Sequence, residues 1–130
     1  MSRFVLCTSN TTGELVGMRS IVTRYDAAAA MKSLSVVSMN KIGTTEGTNI
    51  SCSSIALDAA NGEHLSQITF GHQIIGRIGY IKAVSSTGKT LTRGVLRSTM
   101  SLETMTTWPG NFILGFWGYE NARISAVGQI

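Results

Sequence analysis

Two histidines, two cysteines and seven carboxylates are the groups in this 130-residue chain with which acid–base, nucleophilic or metal chemistry would be done. His64 and His72 stand eight residues apart, with no carboxylate or cysteine spaced to complete a ligand set. A metal ion needs three or four convergent ligands, so no metal site is expected. Cys7 or Cys52 with either histidine would formally make a nucleophilic pair. Nothing in the local sequence marks an activated thiol, and a small cysteine on a strand reads as a packing residue. Paired carboxylates for glycoside hydrolysis depend on a separation that spacing along the chain does not encode. Ser86-Thr87-Gly88-Lys89-Thr90 has the tail of a phosphate-binding loop. Its first glycine should stand five residues before the Gly-Lys pair, where the chain has Ala83, and Leu91-Thr92-Arg93-Gly94 offers no helix to follow. That segment reads as a hairpin turn. No catalytic residue, no metal and no cofactor are expected.

The elements that must position such groups belong to one domain, residues 1–130, of the commonest domain size. An apolar fraction of 43% against 14% charged excludes a disordered chain. Eleven basic residues give a net charge of +4, but they are scattered singly. The nearest cluster, Lys89 through Arg97, lies in a Thr- and Gly-rich stretch without interleaved aromatics, so no nucleic-acid partner is expected. No apolar run approaches the roughly 20 residues that span a bilayer, and no membrane insertion is expected. The start, MSRFVLCTSNTTGE, turns polar too soon for a signal-peptide core. Cys7 and Cys52 could pair once or not at all; the expectation is cytoplasmic residence with both thiols reduced, and with Asn10-Thr11-Thr12 and Asn49-Ile50-Ser51 unused as glycosylation sequons.

A single proline with Gly, Ser and Thr throughout suits many short strands joined by tight turns. Strand patterns occur at Phe4–Leu6, Ser20–Thr23, Ser33–Val37, Gly79–Val84 and Phe112–Phe116. Turn chemistry lies at Thr12-Gly13, Asn61-Gly62, Thr87-Gly88 and Pro109-Gly110-Asn111. Only Asp26–Lys32 has helical propensity, and it is too short for a stable helix, so a loop or one helical turn is expected there. An internal repeat runs through Phe4–Thr23, Leu65–Val84 and Phe112–Val127. Its shared core reads Gly17-Met18-Arg19-Ser20-Ile21, Gly76-Arg77-Ile78-Gly79-Tyr80-Ile81 and Ala122-Arg123-Ile124-Ser125-Ala126-Val127. Such a repeat implies three similar hairpin-bearing sheets around one axis.

Pro109-Gly110-Asn111-Phe112-Ile113-Leu114-Gly115-Phe116-Trp117-Gly118, followed ten residues later by Gly128, resembles the closing segment of jacalin-related lectins. Arg19 to Tyr25, Ser54 to Asp58, Leu65 to Gly71 and Gly79 to Thr90 resemble strands elsewhere in that family. The resemblance covers nearly the whole chain. It implies an all-β fold, the β-prism I, with three four-stranded antiparallel sheets in pseudo-threefold symmetry.

The resemblance also implies carbohydrate binding without catalysis. The family's Gly-x-x-x-Asp loop uses its aspartate to accept charge-assisted hydrogen bonds from sugar hydroxyls, while its glycine admits the ligand close to the backbone. The matching positions here read Asn121-Ala122-Arg123-Ile124-Ser125, so Asn121 replaces glycine and Ser125 replaces aspartate. The candidate sugar-binding set is Gly118, Tyr119, Glu120, Asn121, Ala122, Arg123 and Ser125. Asn10 and Gly13 join it from the neighbouring loop, and His72 and Gln73 from the middle repeat's loop. Tyr119 or Trp117 would stack on a pyranose and Glu120 would supply a carboxylate; Trp117 in the core and a solvated Glu120 are the structural alternative. The partners expected are glycans or glycoconjugates and further copies of the chain, as a homodimer or tetramer that multiplies weak sites. A defence or storage lectin would suit that description. A β-prism that binds protein or serves structurally is the rival reading, favoured by serine at 125.

Overall fold

The computed structural model describes residues 1–22, 38–73, 77–107, 113, 116–120 and 124–129, with the backbone alone at 22, 38–40, 116–120 and 124–129. Four strands, β1 (Arg3–Ser9), β2 (Leu15–Val22), β3 (Ser38–Gly43) and β4 (Ile50–Ala56), form an antiparallel sheet in the order β3-β2-β1-β4. Four more, β5 (Leu65–His72), β6 (Ile78–Ser85), β7 (Thr90–Gly94) and β8 (Ser101–Thr106), form a second sheet in the order β7-β6-β5-β8. The topology is the same in both. β9 (Phe116–Glu120) and β10 (Ile124–Gln129) pair as a third hairpin, which represents the third side among the described residues. The fold is the β-prism.

The expected repeat is realised as the hairpins β1–β2, β5–β6 and β9–β10, whose second strands β2, β6 and β10 touch pairwise around one axis. Alternation along the strands fills the space between the sheets. Phe4, Leu6, Leu15, Met18, Leu65, Ile68, Phe70, Ile78 and Ile81 form one buried cluster, and neighbouring residues point to the other face. Three anticipated turns carry glycines in the left-handed region, Gly13 at φ 72°, Gly62 at 83° and Gly88 at 91°.

The structure corrects the repeat's alignment. In β1–β2, Cys7 faces Gly17 and Thr8 faces Leu15, which leaves Val16 unpaired. In β5–β6, Gly71 faces Tyr80 and His72 faces Ile78, leaving Gly79; in β9–β10, Tyr119 faces Ala126 and Glu120 faces Ile124, leaving Ser125. Each hairpin therefore bulges at one equivalent residue beside its turn. Leu15, Ile78 and Ile124 are the matching positions, so Glu14 corresponds to Arg77 and Arg123, while Arg19 stands further along β2. The arginines had suggested the alignment; the bulges set it.

β3 and β4 lie at opposite edges of their sheet, so the chain between them must cross β2 and β1. Thr44 donates its N–H to the Val16 carbonyl (2.8 Å) as it passes. The approach is so close that a Cβ at Gly17 would collide with the Thr44 carbonyl oxygen. The second sheet repeats the device: Val95 donates to the Gly79 carbonyl (3.1 Å) where the chain leaves β7 to reach β8. In both sheets the bulged residue's carbonyl accepts the amide of the first residue after the outer strand. At the corner between the sheets, the Arg93 guanidinium donates to Thr8 Oγ1 (3.3 Å) and Ser53 Oγ (2.5 Å).

Two further expectations are corrected. Cys7 and Cys52 form a disulfide, with Cα atoms 4.1 Å apart at directly opposed positions on β1 and β4. They are not reduced thiols. A separation of 45 residues conceals that β4 returns beside β1. Of the strand anticipated over Phe112–Phe116, Ile113 lies outside any strand and is a core residue only 2% exposed, Phe116 belongs to β9, and 112, 114 and 115 lie outside the described residues. The stretches Ser33–Val37, Asp26–Lys32 and Pro109–Asn111 lie outside the described residues.

Candidate functional site

The β1–β2 turn folds on its own hydroxyls. Ser9 Oγ accepts the amides of Thr11 (3.2 Å) and Thr12 (3.4 Å), and Thr12 Oγ1 accepts that of Glu14 (3.3 Å). The Ser9 carbonyl accepts the Gly13 amide at 2.8 Å. Local side-chain bonds of this kind explain why a Ser-Asn-Thr-Thr-Gly run turns instead of extending. Asn10, exposed at the tip, donates its backbone N–H to the Asn49 carbonyl (2.8 Å), and its Oδ1 accepts from Ser51 Oγ. The loop is thereby fixed to the start of β4, with the hydroxyl-bearing side chains of Thr11 and Thr12 exposed.

The β5–β6 turn arrives at the same end. β7 runs back along β6 until Gly94 faces Tyr80, close to where β6 begins. The next residue, Val95, lies over the β1–β2 turn, 3.6 Å from where a Cβ on Gly13 would stand. Arg97 Nη2 approaches Glu14 Oε1 at 3.6 Å, adding a charged contact between the two sheets' loops. Gln73 closes its turn by donating its N–H to the Arg77 carbonyl (2.8 Å), and its side-chain amide packs over Gly79. His72 is a third exposed and spends Nε2 on Glu103 Oε2, 3.1 Å away on β8. The structure thus brings Asn10 and Gly13 to one rim and His72 and Gln73 to another, with the segment from Val95 to Met100 between them.

For the third loop the backbone is described on either side. Gly118, Tyr119 and Glu120 end β9, and Ser125 is the bulged residue of β10. Asn121, Ala122 and Arg123 lie outside the described residues. A bulge turns a residue out of the regular alternation, and such positions recur beside functional sites. Sequence reasoning missed Glu14, Val95, Arg97, Met100 and Glu103 at this end. Glu14 follows Gly13 directly and Arg97 closes the basic cluster noted above, yet only the crossing of the chain over β6 and β5 shows that they meet.

The opposite end carries a different cluster. The Lys89-Thr90 turn is a hairpin, closed by Ser85 N–H to the Lys89 carbonyl (2.8 Å) and Gly88 N–H to the Ser85 carbonyl (3.0 Å). Lys89 Nζ donates to Glu63 Oε1 (2.8 Å) and to the Ala56 carbonyl (3.0 Å). Thr87 Oγ1 donates to Glu63 as well, and the Asp58 amide donates to Glu63 Oε1 at 2.8 Å. These bonds, led by that from Lys89, hold the Glu63 carboxyl down at about 2. The lysine of the phosphate-loop lookalike is committed to a carboxylate. Both cysteines are joined in the disulfide and neither is a free thiol. Among the described residues no three His, Cys, Asp or Glu side chains converge on a metal position.

No family model matches the sequence, and no curated protein matches it. Solved structures do match its fold. Calystegia sepium agglutinin superposes with a TM-score of 0.70 at 13% identity, covering 99% of this chain and 80% of that one. Calsepa lectin in complex with a biantennary N-glycan gives 0.72 at 14% identity over the same shares, and its complex with a bisected glycan gives 0.68 at 14%. Both proteins are jacalin-related lectins, and the likeness is one of fold.

Proposed function

We propose that this chain, a β-prism of the jacalin-related type, is a non-catalytic carbohydrate-binding protein that takes glycans at the loop end of the prism. The observation that carries the reading is the whole-chain fold likeness to a lectin solved with a biantennary N-glycan and with a bisected glycan. The loop end adds chemistry of the right kind, with exposed hydroxyls, turn amides and carboxylates held by a rigid scaffold. The proposed sugar set is Gly118, Tyr119, Glu120, Asn121, Ala122, Arg123 and Ser125, the last being the bulged residue of β10, together with Asn10 and Gly13 from the β1–β2 turn. His72 and Gln73 provide a second polar rim. Tyr119 stacks on a pyranose face and Glu120 supplies the carboxylate that serine at 125 lacks. A neutral hydroxyl contributes about 0.5–1.5 kcal/mol net, so each site is weak and a homodimer or tetramer raises avidity.

The test is calorimetric titration of the wild type, Ser125→Ala and Tyr119→Ala with a glycan that the wild type binds. Each substitution should weaken binding roughly 3- to 10-fold, the loss of one net hydrogen bond or one stacking contact. Unchanged affinity in both variants would place the site elsewhere. Serine in place of aspartate favours one other reading, a β-prism that binds protein or serves structurally. A folded protein with no affinity for any glycan would support that reading. A defence role would suit such a lectin, whereas cytoplasmic residence, expected with reduced thiols, has the Cys7–Cys52 disulfide against it; among the described residues no helix is long and apolar enough to cross a membrane.

A further inference from the structure

We infer that the outer face of the first sheet holds an anion site, where Arg19 and Lys41 together take one tetrahedral oxyanion, a phosphate or sulfate group. The site lies on a side of the prism and does not depend on sugar binding at the loop end.

Arg3, Arg19 and Lys41 are far apart in the sequence, but strand register gathers them. Val5 faces Arg19 across β1–β2 and Ser54 across β1–β4, while Arg19 faces Lys41 across β2–β3. Along their strands these residues alternate with Leu6, Met18 and Ile42, which point into the core, so the row belongs to the outer face. Arg3 lies on the same face, diagonal to Arg19, and its Nη1 donates to Ser54 Oγ at 2.8 Å. Lys41 is exposed and Arg19 partly so.

Two independent observations point to a ligand between Arg19 and Lys41. Directly opposed side chains stand about 4.5–5.5 Å apart at Cβ, and like charges there are destabilising. A carboxylate beside them would relieve this, but the described carboxylates are engaged elsewhere. Glu14 meets Arg97, Glu63 meets Lys89, Glu103 meets His72, and Asp58 accepts from Asn61. Glu46, in the crossing beyond β3, pairs with neither cation. Secondly, the Arg19 Nε–H is buried without a hydrogen-bond partner. Buried donors are almost always satisfied, and one on a charged group is especially unfavourable when it is not. An oxyanion seated on the row answers both. The Nε–H and Nη–H edge of a guanidinium is a fork that grips two oxygens of one group, and the lysine ammonium adds a point charge to a third. Phosphate and sulfate bring the double charge that balances two cations, where a carboxylate brings one.

Calorimetric titration with sodium sulfate, sodium phosphate and glucose 6-phosphate, at fixed ionic strength and mildly alkaline pH, tests this. The wild type should bind one anion per chain. Arg19→Gln and Lys41→Gln should each weaken it roughly tenfold or more, the loss of a charge-assisted hydrogen bond. Lys82→Gln is the control: Lys82 faces Thr69 and Thr92 in the second sheet, its loss changes the net charge equally, and the variant should bind as the wild type does. Lys41→Glu supplies the missing carboxylate. Without anion it should melt above the wild type, and sulfate should no longer raise its melting temperature. Glucose 6-phosphate bound through the same two residues, with glucose unaffected by their loss, assigns the site to phosphate esters; binding of the inorganic ions alone assigns it to free anions. No anion binding by the folded wild type, an equal loss in Lys82→Gln, or a Lys41→Glu protein no more stable than the wild type would each overturn the inference.

Discussion

The Glu63 carboxylate accepts from Lys89, Thr87 and the Asp58 amide, and its pKa falls from the ordinary 4.5 to about 2. A carboxyl whose folded pKa is depressed stabilises the fold fully above its unfolded value, and that contribution is lost as pH falls through the folded one. Thermal stability should therefore drop between about pH 4.5 and 2, and in Glu63→Gln this component of the drop should be absent. Melting curves of both proteins across that window check it; parallel declines would contradict the assignment. Ile113 makes a second local prediction. It is a core plug outside any strand, so Ile113→Ala should cost about 2–5 kcal/mol in urea unfolding. The plug position was illegible in the sequence, because Ile113 sits inside a run that reads equally well as a strand. Glu63 was equally hidden, since Lys89 is 26 residues away and looked like part of a phosphate loop.

Elements were legible where local chemistry decides them. Gly13, Gly62 and Gly88 each follow a polar residue that favours turning, and each takes the left-handed conformation that a turn requires. The hairpins followed from alternation between those turns. Register did not, because a bulge adds one residue to one strand and leaves composition unchanged. The three bulges at Val16, Gly79 and Ser125 are why the arginine-based alignment of the repeat slipped. The crossings over each sheet were hidden for a related reason: a chain segment passing over a strand demands a glycine beneath it, and Gly17 carries no mark of that demand in the sequence. Gly17→Ala should drive a methyl group into the Thr44 carbonyl and cost about 1–3 kcal/mol. Gly62→Ala meets open space and should cost only the left-handed backbone penalty, about 1–2 kcal/mol. Urea titrations of the two separate packing collision from backbone preference; a neutral Gly17→Ala would mean that the crossing segment yields.

At the scale of the molecule, two four-stranded sheets of one topology and a third hairpin surround the main apolar cluster, a smaller one lies on the other face of the first sheet, and the first two hairpins turn at the same end. The whole-molecule plan was readable from the repeat and the closing Gly-aromatic segment, because both reflect the same prism. The site was readable only as loops. Asn10, Gly13, His72 and Gln73 are at this end, but the partners that fix those loops, Ser51, Arg97 and Glu103, come from strands and crossings distant in sequence. The disulfide belongs to this scale too, since it depends on β4 lying beside β1. Carbohydrate recognition is the central claim, and a glycan-array screen of the folded protein with free-sugar competition tests it most directly. Binding to defined glycans that a free monosaccharide displaces is the predicted result; a blank array from correctly folded protein would contradict it.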